Sequence, residues 1–279
     1  MQLSLGFSPC PNDTFIFDAL VNKKIDTEGL DFEVMLEDVQ TLNDWAKEGR
    51  LDFSKISYGA LPLLLERYGV LESGGALGMG IGPLLLAKEP IRLEKVDTHR
   101  IAIPGKDTTA HLLFSLAFPK ATGKEFVVFN EVEDFVLDGK GLGVVIHENR
   151  FTYRKRGLHK LVDLGDYWEK TTGAPIPLGG IIAKRTLPKE VVLKVDGLIR
   201  KSLQYAYLHH KEHLAAFVKI HAQEMEESVM RQHIDLYVND FSLGLGEKGR
   251  TAIHRFLDVY QDLHPGHTVD RNNIFVEDL

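Results

Sequence analysis

Two uncharged stretches constrain this chain most. Ser73 to Ala87 carries five glycines, and Thr171 to Ala183 carries glycine and proline together. Each closes in an apolar run followed by a lysine, Pro83 to Lys88 and Gly179 to Lys184. The first is too short and too broken by glycine to span a bilayer. Between them strand and helix patterns alternate as a compact βαβαβ-like block. Two architectures satisfy that layout. In one, the chain leaves a first lobe at the first stretch and returns at the second, giving two lobes, two crossing strands and a cleft. In the other, a single sheet carries two glycine-rich loops.

The local pattern supports an α/β class. Residues 2 to 7 read as a strand, and Asn12 or Asp13 is expected to cap a helix bearing Ile16, Phe17, Leu20 and Val21. Leu30, Phe32, Val34 and Leu36 alternate as a half-buried strand. Leu42, Trp45 and Ala46 mark a short helix. Phe53 to Ser57 reads as a strand running into a helix near Tyr58, with Leu61, Leu64 and Leu65 on one face. Arg100 to Ile103, Phe126 to Phe129 and Leu142 to Ile146 read as further strands. From Pro188 onward the pattern is helical.

The 279 residues allow a sizeable core, and 44% hydrophobic with 26% charged residues is the balance of a soluble globule. A net charge of −7 disfavours a general nucleic-acid partner, which needs a basic face. One cysteine cannot close an internal disulfide, which favours a reducing compartment. The N-terminus has no basic n-region or long apolar segment, so no secretory signal or membrane partner is expected and the setting reads as cytoplasmic.

Chemistry-bearing residues gather at strand-to-helix junctions. His147 ends a buried strand, where open α/β sheets bind ligands, and an imidazole there can exchange protons near neutral pH. A structural hydrogen bond to backbone would suit it equally well. The second histidine of an HExxH metal motif is absent. Lys106-Asp107-Thr108-Thr109 opens a helix, whose free N–H groups and hydroxyls make an anion cradle or a plain cap. Lys55-Ile56-Ser57 forms a second junction, with a charge and a hydroxyl. Ser8-Pro9-Cys10-Pro11-Asn12-Asp13-Thr14 forms a third, stiffened by two prolines. Cys10 reads as a buried structural thiol. The glycines near residue 78 fit no dinucleotide fingerprint. His209 and His213 share a helix face without a surrounding ligand framework, so no metal site is expected.

The string Phe7-Ser8-Pro9-Cys10-Pro11-Asn12-Asp13-Thr14-Phe15-Ile16-Phe17 closely resembles the opening of the 1,4-dihydroxy-6-naphthoate synthase family of the futalosine route to menaquinone. Leu36-Glu37-Asp38-Val39, Ser73 to Gly78, Ile146-His147-Glu148, Arg150 to Tyr153, and Tyr237-Val238-Asn239 with Phe241-Ser242-Leu243 resemble it in order along nearly the whole chain. The resemblance implies a type II periplasmic-binding-protein-like fold, with two α/β lobes joined by two crossing strands around a central cleft. The lobes are expected at 1–90 with 182–279, and at 91–181.

It also implies a lyase that converts cyclic dehypoxanthine futalosine to 1,4-dihydroxy-6-naphthoate and releases a sugar-derived three-carbon fragment. His147 would be the base, and Lys55, Ile56, Ser57, Thr108 and Thr109 would bind the substrate. Asn12, Asp13 and Arg150 are expected in the cleft wall. Asn149 stands where the family often has serine. No metal or organic cofactor is expected, and the partner is a small anionic molecule. Two rival readings are chorismate dehydratase, a sibling of the same fold and pathway, and a solute-binding protein. The opening string disfavours the first, and the missing export signal disfavours the second.

Overall fold

The computed structural model describes residues 1–210, 212–222 and 226–278. The first third carries β1 (Gln2–Phe7), α1 (Pro11–Val21), β2 (Asp31–Leu36), α2 (Val39–Glu48), β3 (Phe53–Ser57), β4 (Tyr68–Val70), β5 (Ala76–Gly78) and β6 (Leu84–Ala87). Next come β7 (Ile101–Ile103), α3 (Thr109–Ala117), β8 (Lys124–Phe126), α4 (Val132–Leu137), β9 (Leu142–Val145), α5 (Asn149–Thr152), β10 (His159–Asp163) and α6 (Leu164–Thr172). β11 (Ile176–Lys184) precedes α7 (Lys189–His209), α8 (Ala216–His221), α9 (Glu227–Tyr237), α10 (Asp240–Leu243) and α11 (Gly246–Leu263).

Two sheets result. The first runs β2-β1-β3-β11-β4, with β5 also pairing β11, and the second runs β10-β6-β9-β7-β8. In the first, β1 lies parallel to β2 and β3, while β11 is antiparallel to β3, β4 and β5. The long apolar β11 is therefore the spine of the first sheet. β6 and β10 are antiparallel members of the second sheet. The chain passes between sheets in the short segments 79–83 and 173–175.

Those segments correct the expected boundaries. Leu84–Ala87, assigned by sequence to the first lobe, pairs with β9 and β10 in the second sheet. Residues 176–181, assigned to the second lobe, pair in the first. Both runs are apolar throughout and fit the interior of either sheet, so their composition could not fix membership.

Local chemistry accounts for most element ends. Asp38 caps α2 through the Gln40 and Thr41 N–H groups, and Gly49 closes it in the left-handed region at φ 71°. Asp163 caps α6 in the same way, and Gly173 closes it. α1 starts earlier than expected. Cys10 is its cap residue without a side-chain bond, and Pro11 occupies the first helical position, where its fixed φ is favourable. The helix expected after Tyr58 is a single 3-10 turn, Leu61–Leu63, because β4 begins at Tyr68. The strand expected at Phe126 to Phe129 lies at Lys124–Phe126 instead.

A candidate active site between the sheets

Four chain turns converge on a cavity of about 90 Å³. Its lining includes Ser8, Asn12 and Asp13 from the β1–α1 turn, and Lys55, Ile56 and Ser57 from β3. Thr108, Thr109 and Ala110 come from the start of α3, and Ile146 and His147 follow β9. Every expected base or substrate-binding residue thus borders one space. Arg150 does not line it. Its guanidinium bonds to the Gly80 and Gly82 carbonyls and to Asp163 (3.0 Å), so it clamps the first crossing segment. Backbone acceptors leave no mark in a sequence, which is why Arg150 read as a cleft residue.

Asp13 is the polar centre of the first turn and is almost fully buried. It accepts from Ser8 Oγ (2.7 Å), the Ser8 N–H (3.2 Å) and Asn12 Nδ2 (2.8 Å), and pairs with Lys55 Nζ at 2.9 Å. Lys55 also donates to the Gly74 carbonyl (3.2 Å). The lysine is a buried ion-pair member rather than a solvated surface charge.

The second and third turns meet across the cavity. Ser57 Oγ accepts from the Thr109 N–H at 2.7 Å. Thr109 Oγ1 donates to the carbonyls of Leu178 (3.0 Å) and Pro177 (3.2 Å) on β11. Thr108 Oγ1 accepts from the His111 N–H (3.2 Å) as the cap of α3. The cap and the anion cradle are thus partly spent inside the protein: two N–H groups of the first turn already have side-chain acceptors. Ala110, between them, reaches the cavity wall. Gly59 allows this approach, since a Cβ there would stand 2.3 Å from the Thr108 carbonyl carbon.

His147 sits at φ 55°, a left-handed backbone that non-glycine residues rarely adopt and that marks strained functional positions. Phe129 packs edge-on against its ring at 5.1 Å, and His233 stacks on it at 5.9 Å. Burial pushes the His147 pKa down to about 4; Asp13 opposes this and Lys55 reinforces it. The imidazole is therefore neutral at pH 7.

Two neighbours, His233 and Tyr237, were not among the expected site residues. His233, on α9, is fully buried, and its Nε2 lies 2.9 Å from Asn12 Oδ1. Burial holds it neutral as well, with His147 adding a smaller effect. Tyr237, one turn later, also lines the cavity, and Glu148, next to His147 in sequence, is buried. Only the i,i+4 spacing of His233 and Tyr237 on an amphipathic helix hinted at a shared face.

A family model for menaquinone biosynthesis matches residues 3–262. The chain is 46% identical over 254 residues to a 1,4-dihydroxy-6-naphthoate synthase of Thermus thermophilus, covering 91% of this chain and 92% of that one. It is 44% identical to a protein of the same name from Streptomyces coelicolor, covering 91% of each. Among solved structures, a protein of Archaeoglobus fulgidus superposes with a TM-score of 0.87 at 29% identity, covering 94% of this chain and 97% of that one. The alkanesulfonate-binding protein of Xanthomonas axonopodis, bound to MOPS, superposes at 0.71 with 14% identity, covering 94% and 93%. That last likeness concerns fold alone: a periplasmic-binding-protein-like architecture. Of the two layouts open to the sequence, the molecule has the two-sheet one. With the family match running from the first strand into the last long helix, the chain belongs to the menaquinone biosynthesis family.

Proposed function

We propose that this chain is a lyase that forms 1,4-dihydroxy-6-naphthoate from cyclic dehypoxanthine futalosine, with His147 as the general base. The observation that carries the base assignment is a neutral imidazole held on a strained turn at the cavity wall. A neutral ring can take a proton at once, and the turn fixes where it points. Proton abstraction starts eliminations that break the sugar-derived ring and make the second ring aromatic. Aromatisation supplies driving force, so the protein has to place a base and donors and to exclude water.

The substrate is a small anion in this reading. Its carboxylate would lie against the start of α3, where the helix dipole favours negative charge; Ser57, Thr108 and Thr109 line that wall, and their hydroxyls would turn to the carboxylate from the internal acceptors they now hold. Ile56 would give the aromatic system an apolar wall, and Asn12 would hold His233 in place. Lys55 would contribute field rather than a free charge, since Asp13 balances it. The proposed setting is the cytoplasm; among the described residues no helix is long and apolar enough to cross a membrane.

Mixing the protein with cyclic dehypoxanthine futalosine and following naphthoate absorbance tests the reading. Product formation without added cofactor is expected. A protein that binds the substrate unchanged would overturn the lyase assignment in favour of a binding role, and turnover of chorismate instead would favour the sibling activity.

A further inference from the structure

We propose that Cys10, His147 and Glu148 form a binding site for one divalent cation of the zinc type. These residues come from the β1–α1 turn and from the left-handed turn after β9. Their sulfur, nitrogen and oxygen donors all lie within 4.8 Å of one another. Zinc bonds of about 2.0–2.3 Å to such donors place ligand atoms roughly 3.5 Å apart in a tetrahedron. Closing the set therefore takes side-chain shifts on the order of 1 Å.

Charge favours the ion. Cys10 and Glu148 are both buried, so the cluster sets one thiol beside one carboxylate away from solvent. A dication takes the place of the thiol proton: the Cys10 S–H bond breaks, a sulfur–metal bond forms and the proton leaves to solvent. Thiolate plus carboxylate then balance the two positive charges. A thiolate also selects zinc over magnesium or calcium, which prefer oxygen donors.

A second observation comes from α9. His233 Nδ1 is fully buried, has no hydrogen-bond partner among the described residues, and lies 3.9 Å from Glu148 Oε2. The side-chain shift of about 1 Å that closes the ligand set would bring this nitrogen within hydrogen-bond reach of the Glu148 carboxylate, where it would steady a ligating oxygen. Three protein ligands leave a fourth position open, and His147 borders the cavity. A bound ion would occupy the imidazole lone pair and stop turnover; this consequence rests on the base role of His147, whereas the binding itself does not.

Cobalt(II) titration of the intact protein tests the site. Because Cys10 is the single cysteine, thiolate-to-cobalt charge-transfer absorption reports this site and ignores surface histidines. The expected result is a band saturating at one cobalt per chain, displaced by zinc and absent in Cys10→Ser. Glu148→Gln should retain the band with affinity weakened at least tenfold, which keeps the test decisive should Cys10→Ser misfold. Absence of the band in the native protein, or its persistence in Cys10→Ser, overturns the site. Zinc should suppress naphthoate formation with the same midpoint as it displaces cobalt, and magnesium should not. A saturated cobalt band with undiminished turnover would leave the site standing and overturn the coupling to His147.

Discussion

At the scale of single residues, His147 carries the largest burden. Burial holds its imidazole neutral well below pH 7, and its backbone is left-handed where it borders the cavity. His147→Ala is expected to lower kcat by about 10²–10⁴-fold while the protein remains folded, as circular dichroism and the naphthoate assay would reveal. The acid limb of kcat/KM in the free enzyme should fall near pH 4 rather than 6.5, because the base form persists down to the folded pKa of about 4. The same shift affects stability. The unfolded imidazole binds a proton below about 6.5 and the folded one only near 4, so stability is full above pH 6.5 and is lost as pH falls towards 4. Lys55→Met is expected to cost about 3 kcal/mol in urea unfolding, since it strands the buried Asp13 carboxylate. The place of His147 at the cavity was legible in the sequence because open α/β sheets leave their clefts at the carboxyl ends of strands. Its neutral state and its stacking on His233 were not, because both depend on burial by a helix more than eighty residues away (~86).

Elements bring these residues to one place, and close backbone approach decides how well. Gly59 is the clearest case. An added Cβ would stand 2.3–2.6 Å from Thr108 and Thr109 backbone atoms, so the start of α3 has to move away from β3. Gly59→Ala is therefore expected to cost about 1–3 kcal/mol and to cut kcat/KM more than tenfold, read by thermal melts and steady-state kinetics. A variant with native kinetics would mean that this contact does not set the site. Thr109→Val removes bonds to the Pro177 and Leu178 carbonyls; it should raise KM clearly while stability falls by about 1 kcal/mol. The junctions themselves were legible. Polar residues at the ends of apolar strands announced β3, α3 and the turn after β9. The α1 cap was misread because Pro11 can open a helix without a side-chain cap, and the turn after Tyr58 because Leu61, Leu64 and Leu65 have helical spacing but no room before β4.

For the whole molecule, the two uncharged stretches left a two-lobed layout and a single sheet both open; the family resemblance favoured the first, and the exchange points were not legible. The glycines there do more than break a helix. Gly82 and Gly165 let the first crossing segment and the start of α6 touch: a Cβ on Gly82 would lie 2.3 Å from the Gly165 Cα. Around that crossing the apolar interior is continuous. Ile56, Tyr58 and Leu61 beside the first sheet share one cluster with Leu85, Ile101 and Ile103 of the second, and with Trp168, Phe256 and Leu257. α11 packs on both β11 and α3, so the last long helix spans the divide. An interior shared in this way leaves no natural place to come apart in stages. Calorimetry should record one endotherm whose measured enthalpy equals its van't Hoff enthalpy. Two resolved endotherms would mean that each sheet with its helices keeps its own heat of melting despite the common interior.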